Sequence, residues 1–284
     1  MLLKASINDL PKYSSWPARL LCLTKFEQRY KTPNEIIREY DREKWGSLLE
    51  RVNKAGKDVT LDEIDDWFLN NTQEILCSIE DEFYIMHPIE AHKRYVSLIE
   101  NYLSKYLPAT SLVELGAGYG SIILGISHKE KFVRMNIMAA EYTNSGISLI
   151  KHLAKSKHLE IIVDKCDFSS VPVTKLPIPD GAIIFTSYAT PYVPIMPVSF
   201  IESLASYKPK TVIHFEPCYE HCDRNTLIGL LRQRYIEVND YNKNLVTLIH
   251  DQHNKGLVKI QLEEKSVFGS NPLLPISVLA WEPN

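Results

Sequence analysis

Residues 111–127 read SLVELGAGYGSIILGIS, and this stretch organises the rest of the chain. Ser111 to Leu115 is a short apolar run that closes on an acid, Glu114. Gly116, Gly118 and Gly120 follow at every second position, and Ile122, Ile123, Leu124 and Ile126 then form the crowded apolar face of a buried helix. The pattern predicts strand, glycine turn, helix. A glycine turn lets the backbone approach a ligand closely, because glycine lacks a Cβ and tolerates positive φ. The helix after it turns its free N–H groups back toward whatever sits there.

A dinucleotide-binding turn reads G-x-G-x-x-G. Here Ser121 follows the third glycine and the pattern is E-x-G-x-G-x-G. That resembles motif I of class I S-adenosylmethionine (SAM)-dependent methyltransferases, in which an acid at the strand end precedes the glycines. The resemblance covers about residues 95–284 and implies an α/β fold: a Rossmann-like, seven-stranded mixed sheet whose final strand inserts antiparallel. It implies that Glu114, Gly116, Ala117, Gly118, Tyr119 and Gly120 hold the cofactor. An acid roughly 20 residues on closes the second strand and binds ribose hydroxyls; Glu141, after the apolar run Asn136–Ala140 and before Tyr142, fills that place. Glu160 to Val163 is the next strand. In the methyltransferase pattern Asp167 then accepts from the adenine amine and Phe168 packs on the ring. GAIIF, residues 181–185, leads into a polar loop with Ser187 and Tyr188 that faces the methyl donor. TVIHF, residues 211–215, 258–267 and ISVLAW, residues 276–281, complete the strands.

Residues 1 to about 107 read as helical. Pro33 opens one helix, with Trp45, Leu48 and Val52 on its apolar side. Thr60 caps a second in a capping box with Glu63, and that helix is predicted to run on through Ile75 and Leu76. A third starts at Pro88 and carries Tyr95, Ile99 and Leu103. The resemblance implies, by analogy with additions that cover the acceptor site in class I methyltransferases, a helical substrate-recognition and lid region, 1–107, and a SAM-binding domain, 108–284. Residues 1–60 hold twelve lysines and arginines against eight acids, whereas residues 61–100 hold two against ten. Two solvated faces account for this simply; the sharper expectation is that the basic opening, with Lys12, Arg19, Lys25, Arg29 and Lys31, holds an anionic substrate group.

Composition bounds the function. A net charge of −3 gives no support for a broad nucleic-acid surface. No apolar run approaches the roughly 18 residues of a membrane span, and the opening MLLKASINDLPKYSS lacks the apolar core of a secretory signal. Five scattered cysteines suggest reduced thiols and a cytoplasmic protein. His214, Cys218, His221 and Cys222 crowd together, but H-x3-C-x2-H-C is not a standard zinc pattern, and no metal is expected. No G-x-S-x-G elbow points to a hydrolase.

The acceptor decides the remaining chemistry. A hydroxyl needs a base, for which His214, His221 or His87 could serve. A carboxylate needs positioning groups such as Tyr13, Arg19, Lys93, Arg94 or Tyr188. An amine needs a nearby carboxylate such as Glu216. The segments TPNEIIREYDREKWGSLL, VELGAGYGS and SNPLLPISVLAWEP also resemble methyltransferases of ribosomally made peptide natural products, including lanthipeptide O-methyltransferases. That resemblance implies O-methylation of a peptide, at its C-terminal carboxylate, with SAM as donor and S-adenosylhomocysteine (SAH) as product. N-methylation of a peptide side chain, a small-molecule acceptor, or a non-catalytic SAM-fold protein that binds a partner are the alternatives.

Overall fold

The computed structural model describes residues 3–22, 28–56, 58–69, 73–169 and 175–284. Lys25, one of the basic residues named above, lies outside them. The strands are β1 (Leu3–Ala5), β2 (Ile75–Ile79), β3 (Glu82–Met86), β4 (Ser111–Leu115), β5 (Asn136–Glu141), β6 (Ile161–Lys165), β7 (Ile183–Ser187), β8 (Thr211–Glu216), β9 (Val258–Gly269) and β10 (Ile276–Pro283). The helices are α1 (Leu10–Tyr13), α2 (Trp16–Leu20), α3 (Pro33–Ile36), α4 (Trp45–Ala55), α5 (Leu61–Leu69), α6 (Pro88–Ser104), α7 (Ser121–Ser127), α8 (Asn144–Ser156), α9 (Ser199–Ser206), α10 (Leu227–Val238) and α11 (Leu245–Asn254). A wide π-helical turn, Ile37–Lys44, joins α3 to α4.

All ten strands form one sheet in the order β1-β3-β2-β9-β10-β8-β7-β4-β5-β6. The five strands from β8 to β6 are parallel. β10 inserts antiparallel between β8 and β9. These seven strands are the expected mixed sheet. The expected strand number is corrected by three more at the β9 edge, where β2 pairs with β9, β3 with β2 and β1 with β3, all antiparallel.

Those three strands also correct the reading of residues 1–107 as helical. Ile75 and Leu76 lie in β2, not on the helix begun at Leu61. The hairpin turns at Glu80 and Asp81, with φ of +48° and +66°. Positive φ at both turn residues matches the twist of a two-residue hairpin. Buried Arg232, on α10, ion-pairs with Asp81 and donates to Pro272 O at 2.9 Å, tying this turn to the far end of the chain. The capping box holds: Thr60 N donates to Glu63 Oε2 at 2.9 Å, and Glu63 N to Thr60 Oγ1 at 3.3 Å.

Side chains alternate across the parallel strands, as the two-residue repeat requires. Leu112, Ile137, Ala139, Ile183, Phe185, Ile213 and Phe215 face one core, together with residues of α4, α5, α6, α7 and α8. Val113, Met138, Ala140, Ile184 and Val212 face the other, under α9 and α11. The N-terminal helices thus bury their apolar side in the same core as the helix after the glycine turn: Trp45, Leu48, Ile64, Tyr95 and Ile99 join Ile122 and Ile123. A third cluster holds α10 against α1, α2 and the hairpin through Leu10, Leu20, Phe83, Leu231 and Tyr235. Among the described residues no helix is long and apolar enough to cross a membrane.

Candidate active site at the carboxyl ends of the parallel strands

The strand order reverses between β4 and β7, and a ligand crevice belongs outside the carboxyl ends there. The glycine turn lies at this point. Gly116 N and Ala117 N both donate to Ala140 O, at 2.7 and 3.1 Å, which staples the turn to β5. Gly116 has φ +76°, and a Cβ added there would stand 2.4 Å from the Ala189 Cβ in the loop after β7. Gly118 has φ +58°, and its added Cβ would stand 3.2 Å from the Trp45 ring. Only glycine meets both demands.

The acids divide the work. Glu141 is 5% exposed; its Oε2 accepts from Gly118 N at 2.9 Å, and its Oε1 from Thr143 N at 2.9 Å and Thr143 Oγ1 at 2.6 Å. Burial raises its pKa, and these hydrogen bonds oppose the rise. Glu114 accepts from Ile123 N at 3.0 Å, so one of the free N–H groups at the start of α7 is held by the acid before the turn. Burial pushes the Glu114 carboxyl well above its ordinary value. Asp167 Oδ1 accepts from Ser169 N at 2.8 Å and Ser169 Oγ at 2.6 Å, and Phe168 packs on Phe200 with ring centroids 5.2 Å apart.

These groups wall a cavity of about 470 Å³ that Glu114, Gly116, Ala117, Gly118, Tyr119, Glu141, Tyr142, Asp167, Phe168, Ser187 and Tyr188 all line. Gly120 does not line it; it sits at the start of α7 with φ +86°. The turn, the two strand-end acids and Phe168 converge on one apolar space, and glycine keeps its wall free of a Cβ. This donor set fits an adenosine cofactor: carboxylates suited to ribose hydroxyls and to an exocyclic amine, and an aromatic face for a ring.

The N-terminal layer roofs the cavity. Trp45 rests on Tyr119, ring centroids 5.0 Å apart, and on Phe68 at 5.6 Å. Tyr119 donates to Asp65 Oδ1 at 2.8 Å. Asp41, in the π-helical turn, accepts from both Ser145 N and Ser145 Oγ at 2.8 Å, clasping the start of α8. The Tyr40 hydroxyl bonds that of Tyr192, in the loop after β7. Lys31 and Lys44 line this side, and both pair with Glu39, at 2.9 and 3.0 Å. The Lys31 ammonium lies 5.4 Å from the Tyr192 ring centroid and 5.3 Å from that of Tyr241.

Several expected residues are elsewhere. His214 is fully buried: its Nδ1 is 3.0 Å from Thr186 Oγ1, and its Nε2 accepts from Trp281 Nε1 at 3.1 Å. Burial lowers its pKa to about 3. A strand-interior histidine faces the core between β8 and β10, and the catalytic expectation is corrected. Glu216 is also fully buried and does not line the cavity; both its oxygens accept from Ala189 N at 3.1 Å. It anchors the loop behind Tyr188, which has φ +49° and donates to Leu274 O at 2.9 Å. The expected substrate residues Tyr13, Arg19 and Arg94 do not line the cavity. Tyr13 ends α1, Arg19 lies over the Trp16 ring at 5.1 Å, and Arg94 pairs with Glu90 along α6 at 2.8 Å. His87 caps α6, and His221 is bound between Ser277 at 2.8 Å and Glu263 at 2.9 Å. Sequence reasoning missed Lys44, Trp45 and His92 as cavity residues; the helical spacing of Trp45 and Leu48 signals a buried face but not what it covers.

No protein-family model matches the chain, and no curated protein matches it. Solved structures do. A candidate sarcosine dimethylglycine methyltransferase from Galdieria sulphuraria aligns with a TM-score of 0.51 at 11% identity, over 69% of this chain and 88% of that one. The small RNA methyltransferase HEN1 aligns with a TM-score of 0.50 at 12% identity, over 72% of this chain and 28% of that one. A SAM-dependent methyltransferase from Aquifex aeolicus aligns at 0.46 and 13% identity, over 65% and 89%. The fold is that of class I SAM-dependent methyltransferases.

Proposed function

We propose that the protein is a SAM-dependent methyltransferase acting on an oxygen of a peptide or small molecule. The observation that carries this reading is the convergence of the glycine turn, Glu141, Asp167 and Phe168 on one roofed cavity at the strand-order reversal. Glu141 Oε2, with one hydrogen bond from Gly118, keeps capacity for a ribose hydroxyl. Asp167 takes the adenine amine and Phe168 the ring face. When bound, SAM supplies a methyl group already activated by its positively charged sulfur. The protein's part is to hold the acceptor in line and keep water out, and proximity and orientation supply most of the acceleration. Trp45 over Gly118, with the clasps at Asp41 and Asp65, supports the reading of residues 1–107 as lid and recognition layer.

The peptide C-terminal carboxylate is the second reading. Its expected partners Tyr13, Arg19 and Arg94 are off the cavity, but Lys31 and Lys44 share the single carboxylate of Glu39, which favours an anionic group on the acceptor. N-methylation loses its named carboxylate, since Glu216 is sealed behind the loop. Five free cysteines favour a reducing compartment, the cytoplasm. Calorimetric titration with SAH, then with NAD, tests the proposal. Micromolar binding of SAH alone supports it; binding of NAD overturns it; binding of neither moves the non-catalytic, partner-binding reading to the front.

A further inference from the structure

The protein has nine histidines, and among those described His92 is the one that lines the cavity. It stands in the first half of α6, one turn before Tyr95, so both side chains project from one face. The Tyr95 hydroxyl is 2.7 Å from Ser187 Oγ, at the end of β7. His92 Nε2 is 3.6 Å from Asp65 Oδ2, and the other oxygen of Asp65 accepts from Tyr119 of the glycine turn. The imidazole therefore lines the cavity next to the Asp65–Tyr119 pair, on the helix face that also carries Tyr95. With Nε2 turned to a carboxylate, Nδ1 is the ring nitrogen left for a ligand.

We infer that His92, oriented by Asp65, is the general base for methyl transfer, and that the acceptor atom is a hydroxyl oxygen. The inference rests on the cofactor reading above and deepens it. A carboxylate acceptor is ionised at neutral pH and needs no base; a hydroxyl does. The acceptor's O–H proton passes to His92 Nδ1, the oxygen's electron pair forms the bond to the methyl carbon, and the carbon–sulfur pair returns to sulfur. The imidazolium that results is stabilised by the Asp65 carboxylate, which Tyr119 holds in place.

The local electrostatics fix the protonation states from which the step starts. Burial lowers the His92 pKa to about 4, so the free ring is neutral at pH 7 but a weak base, and proton uptake depends on the Asp65 carboxylate drawing close to the imidazolium as it forms. Burial raises Asp65 to about 6, against the hydrogen bond from Tyr119, with Asp62 adding to the rise and Lys157 opposing it. Asp65 is thus a carboxylate at pH 7. The 3.6 Å separation suits a pair that tightens when substrate binds.

The test uses the full chain and the variants His92→Gln and Asp65→Asn. SAH calorimetry comes first: if the wild type binds no SAH, the cofactor reading has failed and not the base. Nitrogen-15 NMR of labelled histidine then reads the His92 tautomer. A neutral ring with its proton on Nε2 at pH 7, a preference lost in Asp65→Asn, is expected. Transfer from tritiated SAM is measured to three probes: an amidated Tyr- and Ser-containing hexapeptide, 4-nitrophenol, and a hydroxyl-free hexapeptide with a free C-terminus. Label on a hydroxyl probe is expected, with kcat falling at least about 100-fold in His92→Gln while KM stays within about threefold. Undiminished transfer by His92→Gln overturns the inference. So does label confined to the carboxylate probe, no hydroxyl transfer by a protein that binds SAH, or a proton on Nδ1 at pH 7.

Discussion

Glu216→Gln separates a buried anchor from a catalytic acid. In the wild type the side chain is fully buried at the end of β8 and accepts from Ala189 N. Burial raises its pKa from 4.5 to about 7, opposed by hydrogen bonds from Thr186 and from the Ala189 and Thr190 backbone. The folded value lies above the unfolded one, so this group's stabilisation is present in full below about 4.5 and is lost as pH rises through about 7. The full shift corresponds to about 3 kcal/mol. Glutamine keeps the shape and the acceptor oxygen but carries no charge to bury. The other shifted groups, Asp65, Glu114 and Glu141 raised and His92 and His214 lowered, are common to both proteins and cancel in the difference. Urea unfolding of wild type and variant at pH 5 and pH 8 reads that difference. It should move by about 2 to 3 kcal/mol in favour of the variant at the higher pH, on the order of 1 M in midpoint. SAH affinity at pH 7.5 should stay within about threefold. Parallel pH dependences would refute the burial argument, and a tenfold loss of SAH affinity would put Glu216 back at the ligand.

Gly118→Arg must adopt positive φ and start its side chain against Trp45; SAH affinity should fall at least about 100-fold in a variant that circular dichroism shows to be folded, and unchanged affinity would remove the turn from the site. His214→Leu leaves the buried Trp281 N–H unpaired and should cost about 1–3 kcal/mol of stability in urea melts, with turnover per folded molecule unchanged. A loss of turnover at wild-type stability would restore His214 to the chemistry.

The parallel half of the fold was legible because each strand there is a short apolar run closed by a polar residue, and because E-x-G-x-G-x-G marks one turn by residue type alone. The β2–β3 hairpin was not. Its turn residues, Glu80 and Asp81, are not the asparagine–glycine type that announces positive φ, and its first strand continues the apolar spacing of α5. In the site, positions fixed by strand ends were readable, as Glu141 and Asp167 show. Positions fixed by which way a helix faces were not: Arg94 and His92 are two residues apart on α6, and only packing against α5 turns His92 inward. Charge counting named Lys31, which lines the cavity, together with Arg19, which does not, and it passed over Lys44, which does.

The placement of β2 has a consequence for synthesis on the ribosome. Its outer partner is β3, two residues away, but its inner partner is β9; Ser78 pairs with Gly269, and Cys77 reaches Ser270, 193 residues further along. A nascent chain therefore carries the hairpin with one edge unpaired until β9 has emerged, although the apolar faces of α4 and α5 find their partners on α6, α7 and α8 well before that. Contacts of such long sequence separation make folding slow, and exposed strand edges invite association with other chains in the meantime. The β2–β3 hairpin is made early and gains its inner partner only late, which makes it the part most in need of a chaperone's shelter during translation.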